Sequence, residues 1–190
     1  MVKAEKSISR QSFSSAELAI WIVIASVGML FGTFLLSYLL AKARFPVWPP
    51  VGVDPIPVTT PWISTLILAL SSLMISRSVF YWNQSQLKQA KKFWIIGVGL
   101  GVAFLISQGA LWNQLISQGL SATDHLFGGA VYTLTGLHAL HVVAALGALI
   151  VLYFKYATLK NDSEAPKLVG LFWHFLGVVW FLMFFVMVVF

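Results

Sequence analysis

Leu176-Gly177-Val178-Val179-Trp180-Phe181-Leu182-Met183-Phe184-Phe185 carries no charged side chain and is apolar on every face of a helix. A surface helix of a water-soluble domain keeps one polar face, so a segment apolar all round belongs inside protein or lipid. The run around it continues without a charge from Leu168 to Phe190. At about 1.5 Å of rise per residue, about 20 helical residues cross a hydrocarbon core about 30 Å thick, and this run is long enough to do so.

Four more runs of the same kind lie upstream: Leu18 to Leu40, Trp62 to Trp82 with Arg77 inside it, Phe93 to Ser117, and His125 to Phe154. Closed β-barrels are the other way to satisfy backbone groups in lipid, but they need strands of about ten residues that alternate apolar and polar, and no such alternation is present. The expected fold is all-α: a polytopic membrane protein with five transmembrane helices, spanning about 18–40, 62–82, 93–117, 125–154 and 168–190. Residues 1–15 form a short N-terminal segment and 16–190 a single membrane domain, because no connection is long enough to fold separately. Lys3, Lys6 and Arg10 precede the first run as they would a secretory signal. That run exceeds the 7–15 residues of a signal core and lacks a clear small-residue cleavage site, so it reads as a retained span.

Composition says the same. Of 190 residues 59% are hydrophobic and 9% charged, whereas a soluble domain is roughly a quarter charged. A mean hydropathy of +0.87 is the reverse of a disordered chain. Cysteine is absent, which removes disulfides, thiolate metal sites, iron–sulfur clusters and covalent haem attachment.

The charges orient the chain. Ten Lys and Arg (Lys3, Lys6, Arg10, Arg77, Lys88, Lys91, Lys92, Lys155, Lys160 and Lys167) fall on the N-terminal side of the spans, against Lys42 and Arg44 on the other. The positive-inside rule then places the N-terminus in the cytoplasm and the C-terminus outside. The net charge of +6 is an orientation signal spread over short connections, and nucleic acid is not an expected partner. Arg77, about a turn and a half inside its span, can snorkel to the headgroups. Six of seven prolines stiffen the connection from Ala41 to Pro61, and Thr59-Thr60-Pro61 reads as a capped helix start. Ser121 to Asp124 offer a second cap. Trp48 and Trp62 mark the outer interface, and Trp82, Trp94 and Trp173 the inner one. Gly28 with Gly32, and Gly97 with Gly101, are GxxxG pairs that permit close helix approach.

Polar groups inside the membrane gather in three places: Gln108, Asn113, Gln114 and Gln118 on the third helix; Tyr132, Thr133, Thr135, His138 and His141 on the fourth; and His174 on the fifth. His138 and His141 share a helix face. With His174 they could hold a metal or, as a pair, a haem. All six acids, Glu5, Glu17, Asp54, Asp124, Asp162 and Glu164, lie at helix ends or in connections, so no carboxylate orients such a site. The reading favoured by the residues is three neutral histidines satisfied by interhelical hydrogen bonds or a lipid headgroup. No phosphate loop, catalytic triad or HExxH motif is present, and neither a catalytic residue nor a metal ligand is assigned.

Asp124-His125-Leu126-Phe127-Gly128-Gly129-Ala130-Val131-Tyr132-Thr133-Leu134-Thr135-Gly136-Leu137-His138-Ala139-Leu140-His141-Val142 resembles a signature of haem-copper oxidase subunit III. Phe172-Trp173-His174-Phe175-Leu176-Gly177-Val178-Val179-Trp180 is similar to that family's final-helix motif, and Trp48-Pro49-Pro50-Val51-Gly52 to its Pro-rich connection. The resemblance runs from about residue 16 onward and suggests the short, five-helix prokaryotic form in a bacterial inner membrane. It implies a non-catalytic subunit of a cytochrome c or quinol oxidase in aerobic electron transport. Haem and copper would then reside in partner subunits I and II, with a small subunit IV or a larger respiratory supercomplex as further partners. It implies bound phospholipid and makes Arg77, Tyr132, His138, His141, Trp173 and His174 the lipid-binding and packing residues. Gly177 and Leu111 stand where the family commonly has acids, which argues against a proton relay. Two alternatives remain open at this point: an accessory subunit of a nitric-oxide reductase, and a membrane electron carrier with haem between His138 or His141 and His174.

Overall fold

The computed structural model describes residues 14–50, 52, 55–123, 125–155 and 164–189. Within them are five long helices and no strand: α1 (Ser15–Arg44), α2 (Thr59–Asn83), α3 (Leu87–Ser117), α4 (Leu126–Lys155) and α5 (Ala165–Phe184), which ends in a π-helical turn, Phe185–Val189. All five are long and apolar enough to cross a membrane. The helices outrun the uncharged stretches because charge ends hydropathy without ending backbone hydrogen bonding. Lys88, Lys91 and Lys92 occupy the first turns of α3, and Lys42 and Arg44 the last turn of α1.

α1 opens with a capping box. The Ser14 hydroxyl accepts from the Glu17 N–H at 3.1 Å, and Glu17 accepts from the Ser14 N–H at 3.0 Å, satisfying donors that a helix start leaves over. α3 closes with a Schellman turn: Leu120 N–H to Leu115 C=O and Gly119 N–H to Ile116 C=O, both 3.0 Å, with Gly119 at φ +80°.

α2 and α3 make the tightest pair, an antiparallel hairpin in contact along its length. The buried residues of α2 are Pro61, Ser64, Leu68, Ser71, Ile75, Ser78 and Trp82, alternating by three and four. That 3.5-residue spacing is the seam of a left-handed helix pair. Serine recurs at every seventh residue and reaches across each time. Ser64 meets the Ser107 hydroxyl at 2.8 Å, Ser71 donates to the Gly97 carbonyl at 2.7 Å, and Ser78 donates to the Ala90 carbonyl at 2.6 Å. In lipid there is little hydrophobic drive between helices, so small side chains and interhelical hydrogen bonds hold them together.

α5 packs against α2 and α4, and α4 against α3, forming a four-helix body; α1 rests mainly on α4 and α5. α1 buries only Val27, Phe31 and Tyr38. One interior cluster lies at the end carrying most of the basic residues, around Trp82, Trp94, Leu149 and Trp173. The other lies toward the far end, around Phe31, Leu111, Phe127, Leu134 and Met183.

Several sequence expectations are corrected. Trp82, Trp94 and Trp173 are no interfacial belt: each is at most 2% exposed, and the Trp94 N–H donates to the Leu149 carbonyl at 2.9 Å. Their rings fill the wide crossing of α2 to α5. The capped start read at Thr59-Thr60-Pro61 does not form: α2 already begins at Thr59, the preceding Val58 makes no side-chain cap, and the Thr60 hydroxyl donates to Gln114 at 3.3 Å. Ser121 binds Thr123 within its own turn, α4 begins at Leu126, and Asp124 lies outside the described residues. Gly97 and Gly101 do make close approaches, since a Cβ would meet Ile75 at 2.7 Å from the first and Leu146 at 2.7 Å from the second. Gly28 would meet Phe175 only at 3.7 Å and Gly32 nothing within 4 Å, so that pair is no crossing point.

Candidate functional site

The residues singled out in the sequence fall into an enclosed interior layer, a groove and an outer face. His138 centres the layer and is wholly buried. α4 presents it between the edges of Phe31 (6.0 Å, 73°) and Phe104 (5.9 Å, 86°), with the Trp180 ring tilted over it at 5.5 Å and 34°. The contact joins the α4 and α5 segments that carry the motifs. Thr135, one turn away, accepts from the Trp112 N–H at 3.1 Å and donates to the Val131 carbonyl at 2.7 Å. The Trp180 N–H donates to Thr65 on α2 at 3.0 Å, so α2 to α5 are linked by ring contacts and hydrogen bonds at about one depth.

His141 shares the Phe31 ring at 5.5 Å, while its Nδ1 lies 2.7 Å from the Leu137 carbonyl of its own helix. An N–H at Nδ1 leaves the lone pair on Nε2. Tyr132 donates to the Leu120 carbonyl at 3.0 Å and pins the α3–α4 turn onto α4. Trp173 enters a space that only glycine leaves, with its ring carbon 2.8 Å from where a Cβ at Gly101 would stand. Trp48 folds back from the Pro-rich connection, donating to the Tyr38 hydroxyl at 3.0 Å and packing edge-on against Phe127 at 5.4 Å. Gly136 faces open space.

The groove lies between α2 and α5 and is centred on His174, whose two ring nitrogens meet the hydroxyls of Ser72 and Ser76, the latter at 3.1 Å. Serines four apart share a helix face, and that spacing is the signal by which the sequence could have supplied both partners. Toward the far end the groove is walled by Leu68, Ala69, Val178 and Phe181. Toward the basic end it widens between Glu17, Trp21, Val79 and Lys167. An apolar trough thus opens onto a wider, still largely apolar mouth edged by the charges of Glu17 and Lys167.

Arg77 is exposed and lies about 200° around α2 from the buried Ile75, away from the face that meets His174. Of the third-helix amides, Gln108 is 3% exposed with both side-chain atoms unpartnered. Gln114 pairs with Thr60, and Asn113 and Gln118 are exposed.

Among the described residues no three His, Asp or Glu stand together as a metal site. The rings of Phe31, Phe104 and Trp180 enclose the wholly buried His138, and serine hydroxyls occupy both nitrogens of His174. A porphyrin cannot stand beside the first and the second has no free nitrogen for its iron, so a pairing of His138 or His141 with His174 does not fit a haem.

Comparison with known proteins extends the sequence signature. The family model for cytochrome c oxidase subunit III matches residues 14–190. Similar proteins include the cytochrome c oxidase subunit 3 of Thermostichus vulcanus, 27% identical over 88% of this chain and 83% of that protein. That of Synechocystis is 26% identical over 85% of this chain and 70% of its own length. That of Syncerus caffer is 30% identical over 70% of this chain, which spans about half of that longer protein.

Proposed function

Because the chain belongs to the cytochrome c oxidase subunit III family and is therefore a multi-pass subunit III of a haem-copper oxidase, we propose that its work in the complex is structural and lipid-holding. Other oxidase subunits are its partners. Those partners are the catalytic subunit I and subunit II, with a small subunit IV or a respiratory supercomplex as further neighbours, in a bacterial inner membrane. Its own N-terminus is cytoplasmic and its C-terminus external, an orientation supported by ten basic residues against two. Haem and copper are carried by the partners.

The observation that carries this proposal is the family match across every described helix. The nitric-oxide reductase alternative is not favoured, since the relatives compared above are cytochrome c oxidase subunits. Tyr132, His138, His141 and Trp173 act as packing residues, through the contacts described above. His174 and Arg77 are the lipid contacts. The apolar groove beside His174 takes an acyl chain, the Ser72 and Ser76 hydroxyls that the imidazole holds in place offer their remaining hydrogen-bonding capacity near its wider mouth, and Arg77 reaches a phosphate on the outer face of α2.

A tag on this chain should retain a much larger membrane subunit through mild-detergent purification; recovery of the chain alone would overturn the assignment to the complex. Native mass spectrometry of that preparation tests the lipid role. Phospholipid adducts should survive in the wild type and fall in His174→Leu and Arg77→Leu. Unchanged adducts in both variants contradict it.

A further inference from the structure

The middle of the bundle holds polar atoms that the protein itself does not satisfy. His138 is 0% exposed with neither ring nitrogen hydrogen-bonded, and Gln108 is 3% exposed with neither amide atom hydrogen-bonded. Their relative position follows from the antiparallel register of α3 and α4. Phe104 lies edge-on to His138, and Trp112 donates to Thr135. Gln108 stands one turn after Phe104 and one turn before Trp112, which puts it level with the Thr135–His138 turn, on the buried seam of α3.

Two polar side chains thus face the same interior layer at the same depth without bonding each other. A neutral imidazole has one donor and one acceptor, and a primary amide has two donors and an acceptor oxygen. Surrounding hydroxyls are already committed: Ser107 to Ser64 and to Phe104, and Thr135 to Val131 and Trp112. In a lipid-embedded core no bulk solvent reaches these groups, and leaving them bare is costly. One water bonded to an atom of each side chain relieves part of that cost for both, and buried waters characteristically make about three such bonds.

We infer that Gln108 and His138 form a binding site for an internal water molecule that bridges α3 and α4 at mid-membrane. The water donates to the imidazole lone pair and to the amide oxygen or accepts from the amide N–H. The site adds a polar tie between α3 and α4 at the depth where Trp180 of α5 already lies over His138.

The test combines a mutant cycle with a direct look for the water, both on the complex purified through this chain. Gln108→Leu and His138→Phe should each lower the melting temperature, because each leaves the other group orphaned. The double variant should recover most of the loss. Difference infrared spectra in H2(18)O should show an isotope-shifted O–H band of an isolated buried water, absent from either single variant. Additive single effects overturn the inference, as does a wild-type spectrum without the band. A coupled cycle with no isotope-sensitive band would instead mean a direct amide–imidazole bond and would likewise overturn it.

Discussion

Replacing Gly128 by alanine puts one methyl group at the tightest point among the described glycines. A Cβ there would lie 2.0 Å from the backbone carbonyl oxygen of Ser121, where a close carbon–oxygen contact is about 3.3 Å. The turn would have to retreat by about 1.3 Å, and it is not free to do so. Leu120 is tied to Leu115 by the Schellman bond at 3.0 Å, and its carbonyl accepts the Tyr132 hydroxyl at 3.0 Å. Overpacking costs about 1–3 kcal/mol and a broken interhelical hydrogen bond in a membrane protein about 0.6 kcal/mol. A loss of about 2–3 kcal/mol corresponds to a drop of about 4–12 °C for a chain of this length. Gly136, on the same helix, is the control: a Cβ there meets nothing within 4 Å. Alanine at an unhindered mid-helix glycine should stabilise by about 0.5–1 kcal/mol. Melting the tagged protein in mild detergent, followed by tryptophan fluorescence, reads both variants. Equal melting temperatures for Gly128→Ala and wild type, or a larger loss at Gly136 than at Gly128, would refute the packing argument.

At Gly101, leucine must displace the Trp173 ring and Leu146, whose atoms lie 2.8 and 2.7 Å from a Cβ. Near-ultraviolet circular dichroism should lose Trp173 ellipticity, and stability should fall by about 1–3 kcal/mol, while Gly32→Ala should leave both unchanged. Ser71→Ala removes the 2.7 Å bond to the Gly97 carbonyl and should cost about 0.6 kcal/mol, with about 1.7 as a ceiling. Ser71→Leu should cost more by wedging α2 from α3, a ranking that unfolding in mixed detergent micelles can check. Trp48→Phe removes the N–H that bonds Tyr38 and should raise limited-proteolysis rates in the α1–α2 connection while leaving the helical content intact.

The five helices were legible because each is an apolar run long enough to cross lipid, a signal independent of what the helix touches. Which face each helix turns inward was much less so. Ser64, Ser71 and Ser78 sit seven apart, a visible period, but in an apolar helix hydroxyls are a minority that hydropathy averages away. Trp82, Trp94 and Trp173 fall near helix ends, where an interfacial role is the usual expectation. Only the crossing of four helices shows that their rings fill its interior. Gly97 and Gly28 carry the same GxxxG pattern, yet what decides between them is the neighbour: a Cβ would clash with Ile75 at the first and make only an ordinary contact with the Phe175 edge at the second. Sequence reasoning gives the histidines interhelical partners or a lipid headgroup. His174 does, in Ser72 and Ser76. His141 binds its own helix, and His138 has rings around it and no hydrogen bond within the protein. Spacing along one chain states which residues share a face; it does not state what stands opposite.

The central claim, that this chain supports a haem-bearing assembly without binding haem itself, is tested most directly by haem stoichiometry before and after the subunits are separated. The complex recovered through a tag on this chain should show a strong Soret band. The same chain, isolated from its partners in detergent, should show none. A Soret band that follows the isolated chain, and disappears in His138→Leu or His174→Leu, would contradict the account.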